Sequence, residues 1–280
     1  IRRRTLASKN GPSTSLQPGS SLPDLLNLRP GSRQNSWLLH VTKELGGATG
    51  TLHGGCALAA VAVAMEATSD RPVSFISGQF LSRAPLGSTV TIDVDQLVVG
   101  NRITQAAATC SYEDVVVLRA SAGLGGRELG VDRSWLSAPN VPPPEECPPR
   151  GQTSETGYSF TDQANIRLAG QEPGQKTVRY WARLPQSLAS TAPGLIALAD
   201  LLPSGMRVSL DSAFRGSSLD HTVRIASLVT SEWVLMNIEA ATIRNSIGHG
   251  AIQLYAQTGE LLAIGSQSFA LSKLTGDLDR

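Results

Sequence analysis

The sequence has no excess of charge of either sign. Its 24 lysine and arginine residues nearly balance 23 aspartate and glutamate residues, which leaves a formal net charge of +1. Because nucleic-acid-binding domains usually carry a strongly basic face, this balance argues against a nucleic-acid partner. A local basic cluster is still able to hold an acidic small molecule.

A long hydrophobic run is also missing. The longest strongly apolar stretch, Cys56 to Met65, is far shorter than the roughly 20 residues that a transmembrane helix needs. We therefore expect no membrane association. Apolar residues nevertheless make up 41% of the 280 residues, enough for one large domain or for two domains of ordinary size.

Cysteine is scarce. The three cysteines, Cys56, Cys110 and Cys147, are widely separated and lack the spacing of metal ligands. An odd number in a chain of this length does not indicate a disulfide framework. We therefore predict a reducing, cytoplasmic location, with the first two thiols buried as small hydrophobic groups.

The first 22 residues contain no acidic residue and are rich in Arg, Ser, Gly and Pro. This composition predicts a disordered tail over residues 1–22. Transit peptides share the same features, so a targeting segment is the alternative.

Residues 23–136 have the pattern of an α+β domain. A short apolar strand is predicted at 35–41, and the Ala- and Val-rich stretch after Gly54 and Gly55 predicts a buried helix. Strands joined by short turns then indicate an antiparallel meander. These strands are predicted at 72–81, 89–98, 103–112 and 115–122.

The same order of elements returns after a Pro-rich connector at 137–176, which predicts a second domain at 177–280. A strand at 176–184 and a helix from Gly194 to Leu202 come first. Turns are predicted at Gly248–Gly250 and at Thr258–Glu260. The strands that follow the helix are predicted at 207–214, 220–228, 232–241, 251–257 and 261–271. We interpret this order as an internal duplication; two unrelated α+β domains are the alternative.

The two predicted helices differ in one residue that can carry chemistry. In the second helix, an uncharged run from Gly194 to Ala199 leads into Asp200. A buried carboxylate costs several kcal/mol unless it is paired or hydrogen-bonded. The first helix has only apolar residues in the matching region, Ala60 to Ala62. The asymmetry places the predicted function in the second half.

Three local motifs accompany this duplication: the Pro142–Cys147 run, Ser218–His221, and Glu232-Trp233 with Glu239 on the following strand. With them the chain resembles the type II acyl-CoA thioesterases over about residues 30–273. The resemblance implies an α+β double hot-dog fold, in which each of two tandem units wraps a curved antiparallel sheet around one long helix. It also implies hydrolysis of acyl-CoA to free acid and CoA, without metal or redox cofactor.

The resemblance further implies that Asp200, Ser218 and Gln267 orient and activate a water molecule. A donor for the developing oxyanion is expected at a helix N-terminus, for which we consider the Gly194 and Leu195 amides. In the first half, Ala122 stands where Gln267 stands in the second. We therefore expect the first half to be structural or to form part of the pocket.

Other polar residues are given structural or solvated roles. His53 is expected to fix the loop before the first helix, and His221 to pack or hydrogen-bond structurally. Asp220 is expected to pair with an arginine, and Glu66 to be a solvated helix charge. Exposed arginines are candidates to meet the phosphates of CoA: Arg102, Arg224 and Arg244.

Two other functions compete with hydrolysis. One is a hot-dog protein that binds acyl-CoA or another lipid without turnover, and the other is a hydratase or dehydratase of acyl thioesters. The second is less favoured, because the sequence shows no Asp and His arrangement typical of such enzymes. Since unpaired sheet edges promote association, we expect a homo-oligomer, a dimer or larger, acting in lipid metabolism. The small residues at 222–227, where the family is more aromatic, leave the acyl preference open.

Overall fold

The computed structural model describes residues 25–47, 49–127, 129–151, 159–170, 174–185 and 188–275. The predicted tail at 1–22 lies outside this part of the chain, as do some residues of the predicted connector. Four α-helices and twelve strands are formed within the described ranges. The helices are α1 Gly54–Ser69, α2 Phe160–Gln163, α3 Ala192–Ala199 and α4 Leu202–Ser209. The strands are β1 Arg29–Pro30, β2 Ser36–His40, β3 Val73–Phe80, β4 Thr89–Val99, β5 Ile103–Tyr112, β6 Val115–Gly125, β7 Ile166–Gly170, β8 Thr177–Ala182, β9 Ala213–Ile225, β10 Val234–Arg244, β11 Ile247–Ala256 and β12 Leu261–Thr275.

All twelve strands join one antiparallel sheet in the order β1-β2-β4-β5-β6-β3-β9-β12-β11-β10-β8-β7. The first six belong to the first half of the chain and the last six to the second. The halves meet where β3 pairs with β9, in a register that runs from Phe75 opposite Arg224 to Gln79 opposite Asp220. The strand order of one half mirrors that of the other, as expected for a duplicated unit. The α+β double hot-dog fold predicted from the sequence is confirmed.

Helix α1 is the core of the first half. Every residue from Gly55 to Met65 is buried, because sheet strands contact one side of the helix and α3 contacts another. A helix buried on all sides needs no polar face, which explains the uniform Ala, Val and Leu content. Asp70, in the left-handed conformation, caps its C-terminus.

The second-half helix is interrupted where the first-half helix is continuous. Helix α3 ends at Ala199, and α4 begins at Leu202 with Pro203 in its first turn. Proline is favoured there because the first helical N–H groups have no intrahelical partner. The predicted strand at 207–214 is therefore wrong over most of its length, since α4 extends to Ser209.

One predicted turn is also wrong. Gly248, His249 and Gly250 lie within β11, and the chain reverses instead at Asn245 and Ser246. Both of these residues have positive φ, 52° and 60°. Such backbone suits a tight two-residue hairpin.

The described residues of the predicted connector contain regular structure. Helix α2 begins with a capping box at Ser159, and β7 pairs with β8 at one edge of the sheet. Cys147 is buried beside Trp181 and Trp233 in a small hydrophobic cluster. Part of this segment therefore packs on the second half rather than running free of it.

Candidate active site

Asp200 lies at the break between α3 and α4, as the C-cap of α3. Its side chain is 5% exposed, so the carboxylate is buried at a helix end rather than solvated. The break turns this residue away from the helix axis and toward the N-terminus of α1. The carboxylate is therefore buried, as its apolar surroundings in the sequence suggested. The prediction that Asp200 lies in the middle of a helix was wrong.

Both oxygens of the Asp200 carboxylate accept hydrogen bonds. The backbone N–H of Gly55, in the first turn of α1, donates to Oδ2 at 2.5 Å. The side-chain Nε2 of Gln267 donates to Oδ1. The N-terminus of a helix carries partial positive charge, so α1 also attracts the Asp200 side chain. The two halves thus share this site, one supplying the acid and the other the helix terminus.

Close approach of α1 and α3 requires glycine at the start of α1. A Cβ at position 55 would lie 2.6 Å from the carbonyl oxygen of Ala197 and 2.7 Å from the Cβ of Asp200. A Cβ at position 54 would lie 3.0 Å from Asp200 Oδ2 and from the ring of Phe80. The need for glycine at positions 54 and 55 is therefore explained by their contact with Asp200 as well as by the start of the helix.

Ser218 and Gln267 reach the same point from two neighbouring strands. Gln267 is buried on β12, and its Nε2 also donates to Ser218 Oγ at 2.9 Å. Residues of β9 are displaced by a bulge, since Asp220 pairs with Ser268 and Ser218 pairs with Phe269. The bulge places Ser218 on the same face as His221 although they are three residues apart. The structure therefore brings Asp200, Ser218 and Gln267 together.

His53 is the neighbour of this group that the sequence undervalued. Its Nδ1 is buried, has no hydrogen-bond partner among the described residues, and lies 3.5 Å from Asp200 Oδ2. Burial lowers the pKa of His53, an effect that the Asp200 carboxylate partly opposes. The ring also contacts Phe160, with centroids 5.1 Å apart. The histidine precedes the two glycines directly, which is the signal that could have placed it here.

The second histidine has the structural role expected of it. His221 is fully buried, and its Nε2 lies 3.2 Å from the carbonyl oxygen of Ile196. A carbonyl only accepts, so this nitrogen carries the proton. The bond fixes α3 on the sheet beneath the site.

Several other expectations are wrong. The Gly194 and Leu195 amides donate to Thr191, as part of the cap of α3. Asp220 accepts from the Ser268 N–H instead of pairing with an arginine among the described residues. Glu66 is largely buried and accepts from the Val73 N–H, and burial raises the pKa of its carboxyl.

The cysteines behave as predicted and add no nucleophile. Cys56 and Cys110 are buried, and burial raises the pKa of both thiols, to about 12 for Cys110. At neutral pH neither forms the thiolate that nucleophilic attack requires. Among the described residues, no cluster of His, Cys, Asp and Glu could hold a metal ion.

The site opens into a cleft with a volume of about 350 Å³. Its described walls come from the loop before α1, the end of β3, the α3–α4 junction and the start of β9, and both Asp200 and Ser218 line it. Three arginines line it as well: Arg83, Arg150 and Arg207. None of these was singled out from the sequence. The arginines that the sequence did suggest are exposed and lie outside the described lining: Arg102, Arg224 and Arg244.

The chain consists of two fused hot-dog units, and a buried carboxylate lies between them at a helix N-terminus. This arrangement defines the class of the protein, which is the double hot-dog architecture. Family models agree with this division. The model for the acyl-CoA thioesterase N-terminal domain matches residues 44–125, and that for the acyl-CoA thioesterase C-terminal domain matches residues 144–271. The chain belongs to the acyl-CoA thioesterase family, whose members are thioester hydrolases.

Solved structures include close matches over nearly the whole chain. A Novosphingobium aromaticivorans protein proposed to be a thioesterase is 28% identical with a TM-score of 0.81, covering 88% of this chain and 98% of its own. A hot-dog protein of unknown function from Alicyclobacillus acidocaldarius is 18% identical with a TM-score of 0.80, covering 91% and 99%.

An acyl-CoA thioesterase II from Mycobacterium marinum is 18% identical with a TM-score of 0.73, covering 90% of this chain and 98% of its own. At this level of identity the last two comparisons concern the fold alone. No curated protein matches the chain. Within the described residues, no helix is long and apolar enough to cross a membrane.

Proposed function

We propose that the protein hydrolyses acyl-CoA to a free acid and CoA, with Asp200 aligning and deprotonating the attacking water. The observation that carries this proposal is the Asp200 carboxylate, held by Gly55 and Gln267 at the wall of the cleft. A fixed carboxylate is a suitable base, because it accepts a proton without first having to be oriented.

Ser218 and Gln267 complete the water site. Ser218 Oγ accepts from Gln267, which leaves its own hydroxyl hydrogen able to donate to the water or to the substrate. The water oxygen forms a bond with the thioester carbon while its proton passes to Asp200. The C–S bond then breaks, and the CoA thiolate takes up the proton, which regenerates the carboxylate.

The developing oxyanion needs a donor, and the Gly54 amide is our candidate. It is the first N–H of α1, Gly54 lines the cleft, and the amide makes no hydrogen bond with any residue that the structure describes. Free amides at a helix N-terminus stabilise negative charge in a dry site. This assignment replaces the Gly194 and Leu195 amides, which are bonded to Thr191.

Hydration or dehydration of an acyl thioester is the second candidate. The sequence offered no support for it, but the structure places His53 Nδ1 3.5 Å from Asp200 Oδ2. Such a His and Asp pair is able to move a proton to and from carbon. Binding of acyl-CoA or lipid without turnover is the third candidate, which the assembled Asp200, Ser218 and Gln267 group disfavours.

One experiment separates the three functions. The purified protein is incubated with saturated and 2-enoyl-CoA esters of several lengths, while free thiol is measured and the products are identified by mass. Release of thiol with the free acid supports hydrolysis. Formation of 3-hydroxyacyl-CoA without thiol supports hydration, and saturable binding without any product supports the binding function.

We also propose a homo-oligomer, a dimer or larger, acting in cytoplasmic lipid metabolism. At the sheet ends, β1 and β7 have no further neighbouring strand among the described residues. Such edges favour pairing with another chain. Light scattering coupled to size exclusion measures the mass directly, and a monomer at micromolar concentration would contradict this proposal.

A further inference from the structure

The described lining of the cleft carries more positive than negative charge. Arg83, Arg150 and Arg207 line it, and Asp200 is the one acidic side chain among its described lining residues. Asp200 accepts hydrogen bonds from Gly55 and Gln267 and forms no ion pair with an arginine among the described residues.

Arg150 has a buried hydrogen-bond donor, its Nη1, without a partner among the described residues. Its guanidinium lies over the ring of Tyr180, 5.7 Å from the centroid. Burial lowers the pKa of Arg150, yet a guanidinium stays charged in proteins, so the unmet donor persists at all working pH values.

Arg207 also lines the cleft and adds to the demand for an anion. Its guanidinium lies 5.1 Å from the ring centroid of Phe214. Its positive charge repels that of Arg150. Asp162 partly offsets the charge of Arg150, but its carboxylate also accepts from Ser159 in the capping box of α2. Arg83 differs, because its Nη2 donates to Ser217 Oγ at 2.7 Å.

We propose that Arg150 and Arg207 form an anion subsite that binds a carboxylate at the far end of a short acyl chain. The preferred substrate is then a dicarboxylic acyl thioester rather than a simple fatty acyl thioester. The inference rests on the proposed function, since it assigns the substrate class of the same cleft. Two guanidiniums suit a carboxylate because each presents planar N–H donors to its oxygens.

The size of the cleft favours an acyl carboxylate over a phosphate of CoA. The cleft volume of about 350 Å³ equals that of a sphere about 9 Å across, which is the scale of a small ligand. About a dozen bonds separate the thioester sulfur of CoA from its first phosphate, and at roughly 3.5 Å per three bonds this arm extends to about 14 Å. An anion that shares the cavity with a thioester at Asp200 is therefore joined to it by a shorter link.

The test compares adipoyl and hexanoyl thioesters, which differ only in the terminal carboxylate. Each acyl group is supplied on CoA and on N-acetylcysteamine, a carrier without phosphates. We expect the parent to prefer adipoyl on both carriers by tenfold or more in kcat/KM. Arg150→Gln and Arg207→Gln should remove most of this preference through KM, as loss of a charge-assisted hydrogen bond predicts. Arg150→Lys should keep part of it.

Arg244→Gln is the matched control, because Arg244 is exposed on the β10–β11 hairpin outside the described lining of the cleft. It should leave the preference unchanged. Equal activity of the parent on adipoyl and hexanoyl esters overturns the subsite. The subsite is also overturned if Arg150→Gln raises KM equally for both CoA esters and leaves KM unchanged for both N-acetylcysteamine esters. That result would assign the arginines to a CoA phosphate.

A binding measurement separates failure of the subsite from failure of hydrolysis. The non-hydrolysable thioether analogues of adipoyl-CoA and hexanoyl-CoA are titrated calorimetrically into the parent and into Arg150→Gln. Tighter binding of the adipoyl analogue that depends on Arg150 supports the subsite even if no thioester is hydrolysed. Hydrolysis together with equal affinity for both analogues would support the thioesterase function and overturn the subsite.

Discussion

The Gly55 amide, in the first turn of the first-half helix, donates to the carboxylate of Asp200 at the end of the second-half helix. These residues are 145 positions apart, and their contact joins the two halves at the point where the cleft opens. Neither half alone contains both the acid and the helix terminus that stabilises it. This site therefore needs both hot-dog units.

Replacement of the acid tests the proposed mechanism most directly. Asp200→Asn keeps the side-chain shape but removes the base, so we expect kcat for acyl-CoA hydrolysis to fall by about a hundredfold or more. Thiol release measures the rate, and thermal melting checks that the fold is retained. A folded variant with the parental rate would remove Asp200 from the mechanism.

The helix contact is tested at the glycine. Gly55→Ala forces a methyl group against the Ala197 carbonyl and the Asp200 Cβ, so α1 and α3 must separate. We expect a loss of stability of about 1–3 kcal/mol, typical of overpacking, together with a fall in kcat because the Gly55 amide leaves Asp200. Urea unfolding and thiol release measure the two effects.

Gly126→Ala is the matched control, since a Cβ there meets no atom within 4 Å. It should change stability and rate only slightly. If Gly55→Ala behaves in the same way, the close approach of the two helices does not constrain the site.

Gln267 and Ser218 are expected to act as one unit. Gln267 Nε2 donates to both Asp200 and Ser218, so Gln267→Ala releases the carboxylate and the hydroxyl together. We expect about a ten- to hundredfold loss of kcat for each single alanine variant, and a double variant little worse than the poorer single one. Additive losses in this cycle would show that the two side chains act independently.

The sequence predicted the parts of this molecule that depend on local pattern. Alternating hydrophobicity located β4 and β5 closely, and the uniform apolar run predicted the buried helix α1. The pattern around Pro203 was misread, because a proline that ends one helix is equally suited to the first turn of the next. A local pattern could not distinguish these two uses.

The site was only partly accessible from the sequence for a different reason. Asp200 was singled out by its apolar setting, whereas Ser218 and Gln267 were named through resemblance to a family, since nothing in the spacing of the three shows that they meet. The contacts of Gly55 and His53 with Asp200 depend on how α1 crosses α3, which is a tertiary relationship. Arg150 was overlooked because an isolated arginine in a sequence carries no sign of burial, and Arg207 because nothing in the sequence places it at the cleft.

Burial of Glu66 predicts a stabilising substitution. Burial raises the pKa of its carboxyl, so the folded state disfavours the ionised form, which an unfolded chain carries at pH 7. Glu66→Gln removes the charge and keeps an oxygen to accept from the Val73 N–H. We expect stability at pH 7 to rise by about 1 kcal/mol or less, as for many single substitutions at partly buried positions.

The pH dependence of this gain follows from the direction of the shift. Below the ordinary pKa of a glutamate, both the parent and the variant carry a neutral side chain, so the gain should disappear near pH 4. Urea unfolding at pH 7 and pH 4 measures it. A gain that is equal at both pH values would attribute the effect to packing instead of charge.

His53 predicts a loss of stability on mild acidification. Burial lowers its pKa in the folded state, whereas in the unfolded chain a histidine titrates near 6.5. Below that pH the unfolded chain binds the proton more readily, so acidification favours unfolding until the folded pKa is reached. His53→Gln cannot take up this proton, and its stability relative to the parent should improve as pH falls from 7 to 5.

His40→Gln, at an exposed histidine, is the control and should show no such trend. If the two variants respond alike, the acid sensitivity originates elsewhere in the chain, and His53 is not the buried neutral base that its position beside Asp200 indicates.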